Sequence, residues 1–584
     1  MGSKDGRIGD ATKILDNGSS IQRWDLVVVA EGYQESELPK FAADTQSFVN
    51  LLFATAPFDQ LKRAINVHRL DVISQESGAD DPKTCTGGTG ATPKTFFDAT
   101  YCARGIDRLL TVDSGAVIAA VTSKVPLWNS IVVIVNSSKF GGSGGPVAVF
   151  SVSGFETGLH EMGHTAFGLA DEYACLTCRS DEKDRNHQTP PAPGAENVTI
   201  EKDRAKVPWR DLILDGTPIP TTSNPDCLKV DPQTTSPVGA STVGAFEGAN
   251  KFHCGVYRAE FDCKMRNLGQ PFCAVCQRKI RWNLTHYIFG TPETFGSTWG
   301  TGWTSIVPLT LQGSPHFLSY ENPLADLPPG TKGKVELDLL RPDASDVDTI
   351  FEDHWSAGWT SMMPFTLGGQ PHLLSYKEGS GSVAIDRIRP DGTGVDSLFG
   401  STWGTGWTSF VPFELGGQSH FLSYKLATGK VEIGRIRPDG SEVDVDTTFE
   451  DTWSTGWTLF APLQLRGKPH FLSYKGAEGR VDIDRLRPDG SGSDTVFSEK
   501  WWKGWTTLTP FTLAGDQFVL AYNVTSGDVS IFYIFPAGDG FTVQETFRDT
   551  WTLGWTTIVP FVFQGEPHYL AYKLDTGSIS IGRY

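Results

Sequence analysis

Two hydrophobic rhythms divide the chain near residue 285. Beyond that point short apolar runs alternate with polar residues and glycine turns, and tryptophan pairs recur. They are Trp299/Trp303, Trp355/Trp359, Trp403/Trp407, Trp453/Trp457, Trp501/Trp505 and Trp551/Trp555, spaced by 48 to 56 residues. Each pair precedes an apolar run, a glycine-containing turn and a second run such as His420–Lys425. A third run, such as Val431–Ile436, ends in Arg437-Pro438-Asp439-Gly440. Short strands at this period with one aromatic signature per unit predict an all-β six-bladed propeller over residues 286–584. The last repeat is incomplete at Ile581–Tyr584, and Tyr287-Ile288-Phe289 stands where the missing strand is wanted. The two ends are therefore expected to pair within one blade and hide the sheet edges.

Residues 1–285 carry a different pattern. Ile131-Val132-Val133-Ile134-Val135 is a continuous β-branched run, which reads as a strand buried on both faces. It leads through Lys139-Phe140-Gly141-Gly142-Ser143-Gly144-Gly145 towards a helix containing His160, Glu161 and His164. An insertion at about residues 182–250, rich in Pro, Thr, Ser, Asn and Gly, has little periodicity. It is expected to cover or frame a cleft, as a lid or as decoration.

The helix supplies the candidate chemistry. His160-Glu161-Met162-Gly163-His164 matches HExxH, in which residues four apart share a helix face. Both imidazoles then reach one zinc ion while Glu161 faces its water as general base. A catalytic zinc takes three protein ligands and leaves a position for water. Asp171 lies seven residues beyond His164, roughly 10 Å along an unbroken helix. It reaches the metal only if Gly168 ends the helix in a left-handed conformation and turns the chain back. Asp171 is the preferred third ligand and Glu172 the alternative, with a structural salt bridge as the plain reading of either.

The spacing resembles the metzincin signature HExxHxxGxxH with two departures. Gly168 and Asp171 fall one residue late, and the third ligand is a carboxylate. Met265, in a polar, turn-prone stretch, is the candidate methionine beneath the metal, and Tyr257 the candidate phenol donor to an oxyanion. Gly141, Gly142 and Ser143 would let a substrate backbone pair with an exposed strand edge.

Several segments of the first 285 residues resemble the bacterial IgA-peptidase family of zinc metallopeptidases. They are Asp25–Tyr33, Asn66–Val72 with Gln75–Gly78, Gly105–Leu110, the Lys139–Gly145 loop, the HExxH helix through Asp171-Glu172-Tyr173, and Cys263–Arg266 with Cys273–Cys276. The resemblance implies a metzincin-like α/β zinc endopeptidase domain, one catalytic zinc at His160, His164 and Asp171, and Glu161 as base. It does not imply immunoglobulin A as the substrate.

Composition narrows the partners. A net charge of -18 with no basic run argues against nucleic acid and against an anionic membrane surface, and no stretch is apolar enough to span a bilayer. All nine cysteines lie between Cys85 and Cys276. Cys85 with Cys102, and Cys227, Cys254 and Cys263 among themselves, are candidate disulfides. Cys175/Cys178 and Cys273/Cys276 admit a zinc ribbon, but nearly a hundred residues separate them, so disulfides are preferred. Disulfides and the resemblance together point to secretion, although Met1–Gly6 has no apolar core and reads as a trimmed start.

The leading reading is a secreted zinc endopeptidase acting on protein or glycoprotein substrates, with a propeller that recruits it, glycans being candidate propeller ligands. A glycan-binding protein with a vestigial zinc domain and a zinc hydrolase of a non-peptide amide or ester are the alternatives.

Overall fold

Ser130–Val135 is buried at every position, as an unbroken β-branched run without a polar face requires, and so is Trp24–Glu31. In this computed structural model, which describes residues 5–175, 192–290, 295–323, 330–344, 346–439, 442–537 and 540–584, both strands sit at the centre of a six-stranded sheet. The chain divides into two units, one ending at Phe289 and the next beginning at Gly290. No helix among the described residues is long and apolar enough to cross a membrane.

The first unit runs β1 (Gly6–Leu15), β2 (Trp24–Glu31), α1 (Leu38–Ala54), β3 (Ile65–Ser74), α2 (Ser114–Lys124), β4 (Ser130–Val135), β5 (Gly142–Ser143), β6 (Ala148–Ser151) and α3 (Phe155–Phe167). The sheet order is β1-β3-β2-β4-β6-β5. β2 pairs in parallel with β3 and β4, and β4 with β6; β1 and β5 are antiparallel at the edges. The short β6 carries no signal in the sequence pattern, yet it anchors α3. Gly158 makes that approach feasible, because a Cβ there would stand 2.5 Å from the Phe150 ring. A small sheet of β7 (Val198–Thr199), β8 (Phe246–Glu247) and β9 (Tyr257–Arg258), followed by α4 (Ala274–Leu284), completes the unit.

Buried carboxylates also shape this unit. Glu31 is fully buried and accepts hydrogen bonds from the Phe97 and Ala99 amides, both at 3.0 Å, which holds the segment leading to Tyr101.

Among its described residues the second unit forms six four-stranded antiparallel sheets. Their first strands, Trp303–Leu311, Ser361–Leu367, Ser409–Leu415, Leu459–Leu465, Thr507–Leu513 and Thr557–Phe563, lie side by side in that order, and the last returns to the first. The second strand of each sheet is almost wholly buried, whereas a fourth strand such as Val347–Ser356 is mostly exposed. The two ends share a sheet, with Phe295–Thr298 paired to Ser578–Arg583 from Phe295↔Ile581 to Thr298↔Ser578.

That strand is not the expected Tyr287–Phe289. Tyr287 closes a 3-10 turn, and its carbonyl and that of Phe289 accept bonds from the buried Arg23 guanidinium at 3.1 and 3.0 Å, so this segment belongs to the first unit.

A buried tyrosine ends the second strand of every sheet: Tyr320, Tyr376, Tyr424, Tyr474, Tyr522 and Tyr572. Each hydroxyl donates to a carbonyl at the entry to the following sheet, as Tyr424 does to Ser454 at 2.9 Å. Tyr572 does the same to Gly300 at 2.8 Å and accepts from the Trp303 amide, which latches the last sheet to the first. The lysine after four of these tyrosines lies 4.5–4.8 Å over the second tryptophan of a pair, in Lys377/Trp359, Lys425/Trp407, Lys475/Trp457 and Lys573/Trp555.

Burial pushes the Glu31 carboxyl up to about 7. A carboxyl raised in the folded state stabilises the fold below its unfolded pKa, and that contribution is lost as pH rises through about 7, a change of roughly 3 kcal/mol at 1.36 kcal/mol per unit. Denaturation midpoints of the native chain should therefore fall more steeply between pH 5 and pH 8 than those of Glu31→Gln. Parallel pH dependences would overturn the assignment.

Candidate metal centre

His160 and His164 stand one turn apart on α3, their rings nearly perpendicular and 4.8 Å between centroids. The Nδ1 of His160 bonds the Lys264 carbonyl at 3.0 Å and the Nδ1 of His164 bonds the Leu169 carbonyl at 2.6 Å. A carbonyl only accepts, so both Nδ1 atoms carry the proton and both Nε2 atoms keep a lone pair. Those lone pairs face one another, with the Nε2 atoms 3.2 Å apart.

α3 ends at Gly168, whose φ of 66° and ψ of 26° are left-handed, and the next residues turn back. Asp171 Oδ1 then lies 3.2 Å from His160 Nε2 and 3.3 Å from His164 Nε2. The Lys251 ammonium takes the other oxygen, Oδ2, at 2.6 Å, and Oδ1 is buried without a hydrogen-bond donor. Burial opposes the charge of Asp171, but both imidazoles and Lys251 hold its carboxyl well below the usual range. Burial pulls His164 down, but Asp171, the Leu169 carbonyl and Glu161 together leave it raised.

Three donors at these separations fit zinc. Bonds of about 2.0–2.1 Å at the tetrahedral angle place ligand atoms about 3.3–3.4 Å apart. The Glu161 carboxylate lies within 4.8 Å of the imidazole donors, and its carboxyl is pushed up by burial while the two imidazoles pull the other way.

His160 and Glu161 border a cleft of about 350 Å³ with apolar walls at Phe140, Val230 and Phe261 and a cation at Arg108. Val230, Asp231 and Gln233 belong to the irregular insertion, which therefore contributes directly to the cleft wall.

The remaining candidates are distributed unevenly. Met265 is fully buried and packs under α3, where a Cβ on Gly163 would come within 2.7 Å of its sulfur. Tyr257 lies in β9 with its hydroxyl beside Glu247, and it is not among the residues lining the cleft. The phenol that does line it is Tyr173, 6.5 Å from the His160 ring and bonded at its hydroxyl by Lys251. Tyr173 had a usable signal, two residues past Asp171, whereas Lys251 had none.

The glycine loop differs from an open edge. β5 pairs with β6 on one side, and Gly142 bridges Leu109 on the other. Ser143 Oγ donates to the Leu110 carbonyl at 2.5 Å, and a Cβ on Gly141 would stand 2.6 Å from the Tyr101 ring. Gly141 and Gly142 are thus required by close packing. Gly144 approaches the site instead, since a Cβ there would lie 2.9 Å from Glu161 Oε2.

Seven of the nine cysteines divide into two sets. Cys85–Cys102 and Cys227–Cys254 are disulfides. Cys263, Cys273 and Cys276 are buried free thiols, which corrects the expectation that Cys273 bridges Cys276 and that Cys263 joins the insertion. Cys178 and residues 182–191 lie outside the described residues.

Comparison with known proteins bears on this unit. The model of the IgA peptidase M64 family matches residues 12–235 and 232–283, a span that includes every donor at the centre. The match supports a peptidase. No curated protein matches the chain significantly. Solved structures that overlap it include candidate 6-phosphogluconolactonases from Bacteroides fragilis (13% identity, TM-score 0.32) and Bacteroides uniformis (11%, 0.34). The periplasmic gluconolactonase of Pseudomonas aeruginosa is similar to the same extent (14%, 0.32). They cover 45–50% of this chain and 80% of their own, and overlaps of that quality establish neither a shared fold nor a shared activity.

Replacing Asp171 by Asn keeps its shape but removes the anionic donor. Zinc affinity at this centre, measured by competition with a chelator, should fall at least about tenfold; an unchanged affinity would remove Asp171 from the ligand set.

Proposed function

We propose that the first unit is a zinc-dependent, metzincin-like endopeptidase. The observation that carries this reading is the convergence of two imidazole lone pairs and an unpartnered carboxylate oxygen at 3.2–3.3 Å, beside Glu161. The peptidase-family match over the same residues supports it.

His160, His164 and Asp171 would hold the zinc ion. Bound there, it would lower the pKa of a water to about 7 and polarise a carbonyl. Glu161 accepts the proton of the attacking water and returns it to the leaving amine. Lys251 neutralises the outer oxygen of Asp171 and keeps the inner one turned to the imidazoles. Tyr173, oriented by the same lysine, is the phenol placed to donate a hydrogen bond to the developing oxyanion. The apolar walls and Arg108 suit an extended peptide with an apolar side chain and a neighbouring acid. The disulfides support a working compartment outside the reducing cytoplasm.

For the second unit the proposal is a six-bladed β-propeller that serves recruitment. The histidine that recurs in five of the sheets is engaged inside the fold. His316, His372, His420, His470 and His568 are buried, and each bonds through Nδ1 to the carbonyl two residues before it. Gln517 replaces the histidine in one sheet and donates to the Phe511 and Phe518 carbonyls. The proposal accordingly assigns the propeller no glycan.

In Glu161→Gln the zinc donors are untouched. The variant should bind zinc as the native chain does while hydrolysis of an unfolded protein such as casein falls at least about a hundredfold. Cleavage at the native rate, by this variant or by chelator-stripped protein, would sink the mechanism.

A further inference from the structure

Behind the turn that delivers Asp171, Glu172 points the opposite way and is wholly buried. Its Oε1 lies 3.1 Å from Cys276 Sγ and 3.5 Å from Cys273 Sγ, while Cys263 Sγ lies 3.8 Å from Cys276 Sγ. All four donor atoms fall within 4.8 Å of one another. We propose that Cys263, Cys273, Cys276 and Glu172 hold a second zinc ion, with a structural role, next to the catalytic centre.

The spacing is that of a closed tetrahedral site. Zinc–sulfur bonds of about 2.3 Å put two sulfurs about 3.8 Å apart, and a sulfur and a carboxylate oxygen about 3.5 Å apart. Structural zinc uses four protein ligands and no water, and this cluster offers four buried ones. Charge is also provided for. Cys273 caps the N-terminus of α4, its amide donates to Cys263 Sγ at 3.2 Å, and the Cys276 amide donates to Cys273 Sγ at 3.5 Å, so two of the three sulfurs already face backbone donors.

Without a cation the arrangement is costly. Glu172 Oε2 is buried with no hydrogen-bond partner, and a carboxylate would face three sulfurs in a dry interior. A redox pair at Cys273-x-x-Cys276 is the competing explanation. It calls for neither the third thiol nor the carboxylate, and both sulfurs are buried away from any thiol of a second molecule.

Two ligands of this second site are chain neighbours of groups that shape the first. Glu172 follows Asp171, and its amide donates to the Met265 carbonyl at 2.8 Å. Cys263 precedes Lys264, whose carbonyl fixes the His160 tautomer. Zinc in the thiolate site would therefore pin the third ligand of the other centre and the carbonyl that fixes the His160 tautomer.

The test uses the full chain and its His160→Ala/His164→Ala double variant, which leaves the thiolate site intact. After gel filtration in metal-free buffer, elemental analysis should find two zinc ions per native chain and one in the double variant. The retained ion should leave only when an organomercurial titrates three thiols, and cobalt in its place should show a thiolate-to-metal charge-transfer band. A double variant that holds no zinc and whose three thiols titrate freely would overturn the proposal, as would a Cys273–Cys276 disulfide found by mass spectrometry. If the native chain holds a single zinc that survives in the double variant, this site stands and the catalytic reading fails.

Discussion

The chain reversal after Gly168 governs the chemistry of the first unit. On a continuing helix, Asp171 would be roughly 10 Å past His164; the left-handed glycine and the turn that follows bring its Oδ1 to 3.3 Å. The turn is clamped from both sides. Asn197 accepts from the Ala170 amide and donates to the Ala170 carbonyl, both at 2.8 Å, and also donates to Glu172. From the other side the Asn250 amide donates to the Asp171 carbonyl and the Lys251 amide to that of Tyr173. Two consecutive carboxylates are thereby aimed in opposite directions, one at imidazoles and the other at thiols.

A comparable constraint organises the second unit, but there it is repeated. Each sheet alone exposes two edges and an incomplete core, and the tyrosine that ends its second strand is buried and bonded to the chain at the junction with the next sheet. The hydroxyl then satisfies a carbonyl where the chain crosses between sheets. The Tyr572–Gly300 bond joins residues at opposite ends of the unit, so the ring is closed by the interaction that builds each of its other junctions.

Local signals were readable in the sequence, and long-range ones were not. The buried run at Ile131–Val135, the helix around His160 and the left-handed stop at Gly168 follow from periodicity and glycine chemistry within a dozen residues. The six-fold repeat is legible because identical spacing recurs. Tyr257 lies near Met265 in sequence, but β-pairing sets it against Glu247; Tyr173, carried by the same turn as Asp171, reaches the cleft. Cys273-x-x-Cys276 invites a local reading as a disulfide or half a ribbon. Its partners, Cys263 and Glu172, sit ten and about a hundred residues upstream, and only the fold assembles them.

The adjacency of Asp171 and Glu172 has a mechanical consequence for the cleft. A ligand on a turn is free to swing unless its neighbours are fixed, and a flexible third ligand weakens metal binding and misplaces the base. Here the neighbour on one side, Ala170, is fixed by Asn197, and the one on the other, Glu172, is tied into a cluster that includes the segment carrying Lys264 and Met265. The same segment supplies the carbonyl that orients His160 and the sulfur that packs under Gly163. Displacement of the thiol cluster must therefore move a ligand, a tautomer-fixing carbonyl and the floor of α3 together, which makes the geometry of the imidazole site inseparable from the state of the sulfur atoms behind it.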